Sequence, residues 1–339
     1  MSSPRIARRR FLSQAAALGG SAVLAASAGG TEKGDSPHLC EAPSGPFRQM
    51  GTVPFFPGSK LHIASNQYQW GVFYQRQGRD FNADLDAGLA EVAKSGMDGF
   101  EPGASSPAEV RRYAPLLKKH GLEMRSLYVG STLHVPAEVD KNIANVLATA
   151  EEAKAAGTRI IVTNPSPLRW GGSGPQDKND AQLKVQAAAL DRLGAALRGM
   201  GLVLAYHNHD MELRNAAREF HHMLLGTGPR NLSFCLDAHW VYRGSGNSAV
   251  ALFDVLKLYG PRVVEIHLRQ SAANIWTEAF GDGDIDYRAM AKYLHGIDVR
   301  PHLVLEQCPE KSSPNTMDAV ESHRRGRQYA AAVFAEPAG

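Results

Sequence analysis

The strongest constraint in this 339-residue sequence is a rhythm that sets in at Leu61 and runs to the C-terminus. Short apolar runs alternate with longer amphipathic ones: 61–67 precedes 84–94, 99–101 precedes 108–120, 123–128 precedes 139–156, and 159–163 precedes 183–200. The alternation continues through 202–207 and 216–225, 232–237 and 249–259, and 263–268 and 287–295, then closes with 303–306 and a helical run near 317–333. Short apolar runs fit buried strands, and the longer runs carry helical spacing. Strands alternating with helices imply parallel pairing through helical crossovers. About eight such units over roughly 275 residues match the size of a (β/α)8 barrel. The alternative is a doubly wound open sheet, which usually places a Gly-rich phosphate turn after its first strand. Here that position reads Asn66-Gln67-Tyr68-Gln69-Trp70, and neither GxGxxG nor GxxxxGK[ST] occurs in the mature chain. The expectation is a single-domain (β/α)8 TIM barrel over residues 61–339.

A leader precedes the rhythm. Ala7-Arg8-Arg9-Arg10-Phe11-Leu12 is a twin-arginine pattern, a small apolar run follows from Ala15 to Ala26, and Ala26-Ser27-Ala28 fits an A-x-A cleavage site. The expectation is a Tat signal peptide over 1–28, handled by the Tat export machinery, with the mature protein periplasmic or secreted. Residues 29–60, rich in Pro, Gly and Ser from 31 onward, read as a linker or an N-terminal wrap. The leader's apolar run is short and rich in Gly and Ala, and no later stretch approaches about 20 apolar residues, so no membrane span is expected in the mature chain.

Lys and Arg number 37 against 34 Asp and Glu, but four of the arginines lie in the leader, which has no acid. Without them 33 basic residues face 34 acidic ones, a net charge of −1. The body therefore offers no electrostatic case for binding nucleic acid. A hydrophobic share of 43% with 21% charged residues excludes disorder as the main state. The three cysteines, Cys40, Cys235 and Cys308, make neither a disulfide scaffold nor a zinc spacing; Cys235 and Cys308 read as small buried hydrophobes on strands.

Chemistry in such barrels sits at the C-terminal ends of the strands. Strand five ends Tyr206-His207-Asn208-His209-Asp210-Met211-Glu212, and strand six ends Leu236-Asp237-Ala238-His239-Trp240. Strand seven ends Glu265-Ile266-His267-Leu268-Arg269, and strand eight ends Leu303-Val304-Leu305-Glu306-Gln307. Alternation along a strand points His207 with His209, Asp237 with His239, and His267 with Arg269. Singly, each group has an ordinary explanation: a hydrogen-bonded His, a helix-capping Asp, half of a salt bridge at Glu306. Together they end apolar runs in ionisable groups whose unpartnered burial costs several kcal/mol. One divalent cation shared by His207, Asp237, His267 and Glu306 offsets that cost for all of them.

The Tyr-His-Asn-His-Asp-x-Glu stretch, the Leu-Asp-x-His-Trp turn, the His-Leu-Arg strand and the Leu-Glu-Gln strand together resemble the xylose isomerase-like superfamily of TIM barrels. Within it they resemble the sugar phosphate isomerase/epimerase branch, from about Leu61 to the C-terminus. The resemblance implies one manganese, magnesium, cobalt or zinc ion held by Glu, Asp, His and Glu from the last four strands. Asp237, His267 and Glu306 fall on the latter three positions, and His207 falls where a Glu is usual. A neutral imidazole there leaves two carboxylate charges instead of three, and shifts preference from magnesium toward manganese, zinc or cobalt. It also removes a ligand carboxylate that could serve as a second base.

The implied chemistry is proton transfer beside a carbonyl, with the cation acting as a Lewis acid on an enediolate. Glu306, His209 and Glu212 are the candidate bases, and Arg269 is a fixed cation suited to an oxyanion. Glu101 and His239 are candidate substrate-binding groups. Trp70, Trp170, Trp240 and Trp276 all follow strands and could form an aromatic wall for a sugar ring. The 170–179 loop and the Gly281-Asp282-Gly283-Asp284 turn are candidate lids.

The leading functional expectation is a metal-dependent sugar isomerase or epimerase acting on a keto-sugar or related polyol. The alternative is a lyase or dehydratase that eliminates from a 3-keto-sugar or 3-keto-glycoside, and a noncatalytic sugar-binding barrel is third. Export, and the lack of an Arg/Lys cluster or glycine nest for phosphate, favour an unphosphorylated substrate. Endonuclease IV-type DNA repair barrels share the superfamily, but strand three here ends Ser126-Leu127-Tyr128 without His. A homo-oligomer is implied by the resemblance alone.

Overall fold

Eight parallel strands form the barrel: β1 (Ile63–Asn66), β2 (Gly99–Glu101), β3 (Ser126–Tyr128), β4 (Ile160–Thr163), β5 (Val203–His207), β6 (Ser233–Asp237), β7 (Val263–Leu268) and β8 (His302–Leu305). They come from a computed structural model that describes residues 61–170 and 176–335. The leader, the 29–60 segment, Cys40 and the middle of the 170–179 loop lie outside the described residues. The sheet runs from β2 through β1, β8, β7, β6, β5 and β4 to β3. Backbone bonds then join the two ends: Phe100 N–H donates to Glu123 O at 2.9 Å and Tyr128 N–H to Pro102 O at 3.0 Å. The fold is a (β/α)8 barrel.

The elements follow from local sequence. β7 is Val-Val-Glu-Ile-His-Leu, whose β-branched residues pack on a pleated surface, and all six residues are buried. The helix Asp180–Gly199 opens with a reciprocal capping box between Asn179 and Gln182. It ends before Gly201, whose φ of +74° is a left-handed turn suited to glycine, and β5 follows. Two helices fall outside the sequence rhythm. Gln67–Arg76 starts directly after β1, where the Asn66 side chain accepts from Tyr68 N–H, and Ala238–Gly244 starts on Asp237. In both cases the residue ending the strand is already the helix cap.

Outward strand residues and the helices enclose the larger core, which includes Trp70, Phe100, Leu190 and Phe234. Inside the barrel, Ile160, Val162, Ala205, Cys235 and Val264 form a small apolar cluster. Glu101, Glu265 and His267 are buried in the same interior, so its β2–β7 side is ionisable. Parallel register sets Asp237 beside His267, and His207 beside Cys235.

Trp70 belongs to the outer core and not to a sugar-facing wall. It is fully buried in the Gln67–Arg76 helix, donates to Ser65 Oγ at 3.0 Å, and stacks on His323 with ring centroids 4.1 Å apart. Burial lowers the His323 pKa to about 4. The folded state thus keeps this ring neutral at pH values where an unfolded chain, with an imidazole near 6.5, takes up a proton. Its contribution is present above pH 6.5 and is lost as pH falls toward 4, at up to about 1.4 kcal/mol per pH unit. A His323→Phe variant is expected to show a shallower loss of unfolding free energy between pH 6.5 and 5, measured by urea titration; parallel slopes would contradict this.

Candidate metal centre and its cavity

The ligand atoms of His207, Asp237, His267 and Glu306 all lie within 4.8 Å of one another, and all four residues are buried. Each arrives from the C-terminal end of its own strand. Asp237 divides its oxygens: Oδ1 accepts from Trp240 N–H at 2.8 Å and caps the following helix, while Oδ2 has no hydrogen-bond partner. His207 lies with its Nε2 3.9 Å from Asp237 Oδ2 and 3.8 Å from Glu306 Oε2, and neither ring nitrogen is hydrogen-bonded. His267 Nδ1 is 3.1 Å from Glu306 Oε2. Buried polar atoms without partners are costly, and here two of them, His207 Nε2 and Asp237 Oδ2, converge on one point together with His267 Nδ1 and the Glu306 carboxylate. Two imidazoles and two carboxylates fit a divalent transition cation well.

The opposite side of His267 is held from deeper in the barrel. Its Nε2 lies 3.1 Å from Glu101 Oε2 and 3.2 Å from Glu265 Oε1. Glu101 also accepts from Asn66 Nδ2 at 2.9 Å and from Ser126 Oγ at 3.0 Å. A carboxylate behind a ligating imidazole fixes its tautomer and orientation. This is the place of Glu101, which is fully buried and is not among the described residues lining the cavity. Burial, reinforced by Glu101, raises the Glu265 pKa to about 8, so near neutrality it carries a proton. Cys235, which donates to Glu265 Oε1 at 3.4 Å, completes that layer. Cys308 is buried as expected, but in the loop after β8.

Arg269 spans the centre and the cavity above it. Its Nη2 donates to Glu306 Oε2 at 2.8 Å, and its guanidinium lies 5.0 Å from the Trp240 ring and 4.4 Å from that of Trp276. Burial opposes its charge, but the Glu306 and Asp237 carboxylates outweigh burial, so it stays a cation. Its Nε and Nη1 donors have no partner. On the acid side, burial raises the Asp237 carboxyl to about 7 against the pull of Arg269. Glu306 differs: burial also works against its charge, yet Arg269 and His267 hold it well below the usual range.

A cavity of about 740 Å³ opens over this centre. Glu306, Arg269, His209, Tyr128, Trp240 and Trp276 line its inner part. His209 faces it with its ring centroid 4.8 Å from that of His207, between the edges of Trp170 at 5.3 Å and Trp240 at 6.0 Å. Burial, and then the neighbouring His207, keep its pKa well below the usual imidazole range, so it is neutral. Trp170 stands at the mouth, 61% exposed.

Three further sequence expectations change here. His239 is fully buried, 2.8 Å from Ser271 Oγ, and accepts from Trp276 Nε1–H at 3.1 Å. It therefore positions Trp276 and offers nothing to a ligand. Because Asp237 ends β6 and starts a helix, strand alternation does not carry over to residue 239. Glu212 is buried behind His209, accepting from His209 N–H at 2.7 Å and Asn164 Nδ2 at 3.1 Å, so it braces this loop and is not a base facing the cavity. The 281–284 turn is pinned: Asp284 accepts from Ser271 Oγ, Ala273 N–H and Asn274 N–H, which does not suit a lid. Tyr128 is the residue sequence reasoning passed over. It ends β3, lines the cavity, and packs edge-on against His207 at 5.5 Å. Burial and then the Glu306 charge raise its pKa well above 10, leaving a neutral hydroxyl donor.

A family description, xylose isomerase-like TIM barrel, matches residues 89–329. The chain belongs to this family. Among sequence relatives of this xylose isomerase-like barrel, inosose dehydratase from Clostridium perfringens is 25% identical over 268 residues, spanning 71% of this chain and 87% of the relative. Among solved structures, D-allulose 3-epimerase from Methylomonas sp. superposes with a TM-score of 0.62 at 17% identity, covering 81% of this chain and 98% of that one. The 3-keto-D-glucoside 4-epimerase from E. coli superposes with a TM-score of 0.59 at 15% identity, covering 80% and 100%. The structural likenesses support the fold, and the family rests on the match over residues 89–329.

Proposed function

We propose that this protein is a divalent-metal-dependent enzyme that removes the proton beside the carbonyl of an unphosphorylated keto-sugar or keto-polyol. The observation that carries the reading is the convergence of unpartnered His207 and Asp237 atoms with His267 and Glu306 on the floor of a sugar-sized cavity. His207, Asp237, His267 Nδ1 and Glu306 would hold the ion, with manganese, zinc or cobalt favoured over magnesium by the imidazole pair. When bound, such an ion supplies Lewis-acid stabilisation to the enediolate of the substrate.

The chain's own groups do the rest. Glu306, held ionised by Arg269, accepts the proton from the carbon, and neutral His209, which also lines the cavity, is a second acceptor. The free Nε–H and Nη1–H of Arg269 donate to an oxygen that gains charge. Trp240 and Trp276 exclude water around that cation.

The abstracted proton can return to the opposite face, which is epimerisation, or to the neighbouring carbon, which is isomerisation. Alternatively, a β-hydroxyl or alkoxide leaves with its bonding electrons, takes a proton from an acid, and an unsaturated ketone remains. One observation favours elimination. Among the described lining residues Glu306 is the one carboxylate, whereas the neutral Tyr128 hydroxyl stands there as a proton donor for a leaving group. The inosose dehydratase relative is a dehydratase by name, in keeping with this branch.

Incubation of the metal-loaded enzyme with 2-keto and 3-keto sugars in deuterated water separates the branches. Deuterium gain in an unchanged or rearranged sugar marks epimerase or isomerase; loss of water or an aglycone with a new unsaturated ketone marks the lyase. No exchange and no new product with any of them would sink the proposal. The export reading of residues 1–28 belongs to the same proposal, and signal-peptide removal near Gly29 in a Tat-competent host would test it.

A further inference from the structure

The cavity is longer than its reacting end requires. Gln67, Gly71 and Gln75, with Tyr68 and Val72 beside them, all line it. This spacing is one face of the Gln67–Arg76 helix. From residue 67 to 75 that face spans about 12 Å along the helix axis, at 1.5 Å per residue. The loop beyond contributes Phe81 and Asn82. The metal centre takes up the opposite end, beside Glu306.

Two features of this outer arm point to a ligand. Gly71 sits inside a helix, where glycine is destabilising by roughly 0.5–1 kcal/mol relative to Ala. A Cβ there would meet no described atom within 4 Å, so packing gives no reason for its small size. Gly103, across the arm, is similar: the nearest atom to its Cβ position is Gln67 Oε1 at 3.8 Å. The arm is also uncharged. Arg269 and Glu306, at the inner end, are the only Lys, Arg, Asp or Glu residues among the described lining. What the outer arm offers is amide groups from Gln75 and Asn82 and the Tyr68 ring, which is 60% exposed.

We propose that this arm is a second binding site, for an uncharged ring joined by a glycosidic bond to the reacting keto-sugar. The inference rests on the keto-sugar reading above and narrows its substrate class to neutral keto-glycosides. Side-chain amides and an exposed aromatic ring suit hydroxyl groups and the C–H face of a sugar, and the described lining of the arm has no cation to retain a phosphate.

The test compares 3-keto-glucose with 3-keto-trehalose, measuring dissociation constants on the metal-loaded full chain by calorimetry and kcat/KM by product formation. The wild type is expected to prefer the two-ring compound at least tenfold on both measures. Gly71→Trp, which fills the arm from the helix, should collapse that ratio to near one, and Asn82→Trp, placed on the loop, should do the same if the helix variant folds poorly. A wild type that binds 3-keto-glucose but gains nothing from the second ring overturns the second site and leaves the keto-sugar reading standing. A preference that survives both substitutions also overturns it. Failure of both compounds to bind the wild type overturns the keto-sugar reading, and this inference with it.

Discussion

A Glu306→Gln enzyme is expected to lose turnover by about 10³-fold or more while remaining folded, because in the proposed function one carboxylate would act both as a metal ligand and as the base. The amide keeps the shape of the side chain, and its oxygen can still accept from Arg269 Nη2, which now lies 2.8 Å from Glu306 Oε2. What it loses is the charge that Arg269 holds in place. The amide cannot accept a proton at neutral pH, and as a neutral ligand it weakens the centre. The measurement is kcat at saturating metal, together with near-ultraviolet circular dichroism to confirm packing. Turnover within tenfold of wild type at saturating metal would remove Glu306 from the chemistry.

The second large effect is expected at Arg269. Substitution by Met keeps a flexible apolar side chain beside the Trp240 and Trp276 rings but deletes the cation and its two unpaired donors. Loss of a fixed donor to developing negative charge costs about 10²–10³-fold in kcat. Arg269→Lys restores charge without the planar fork, so it should recover only part of the loss. A change confined to KM would mean that Arg269 merely binds substrate in its ground state. Metal affinity should fall little in either variant, which separates this effect from damage to the centre.

The barrel was legible because its signal is repeated. Each strand-helix unit carries its own apolar run, and β7 and the Ala249–Tyr259 helix coincide with the runs at 263–268 and 249–259. The grouping of His207, Asp237, His267 and Glu306 was legible for a related reason: parallel strands in register bring their C-terminal ends together, so ionisable residues closing successive apolar runs must meet. The errors arose where the chain leaves the strand. Alternation along the strand predicts an inward His239, but Asp237 is already a helix cap; a loop is expected at Trp70, but Asn66 starts a helix there. Glu101 and Glu212 were assigned by residue type, and type does not say whether a carboxylate faces a cavity or braces a neighbouring group. Tyr128 carried no signal of its own in the sequence. Its strand is three residues long, and only the geometry of the closed ring brings its side chain against His207.

The shared-cation claim is tested most directly by titrating Mn²⁺, Co²⁺ or Zn²⁺ into metal-stripped protein by calorimetry, for the wild type and for Asp237→Asn. The asparagine retains an oxygen to cap Trp240 N–H and removes the charge facing His207, so the fold is kept while the centre is weakened. The account predicts one ion per chain for the wild type and at least tenfold weaker binding for the variant. Either no binding to the wild type, or equal affinity and stoichiometry in the two proteins, would contradict it.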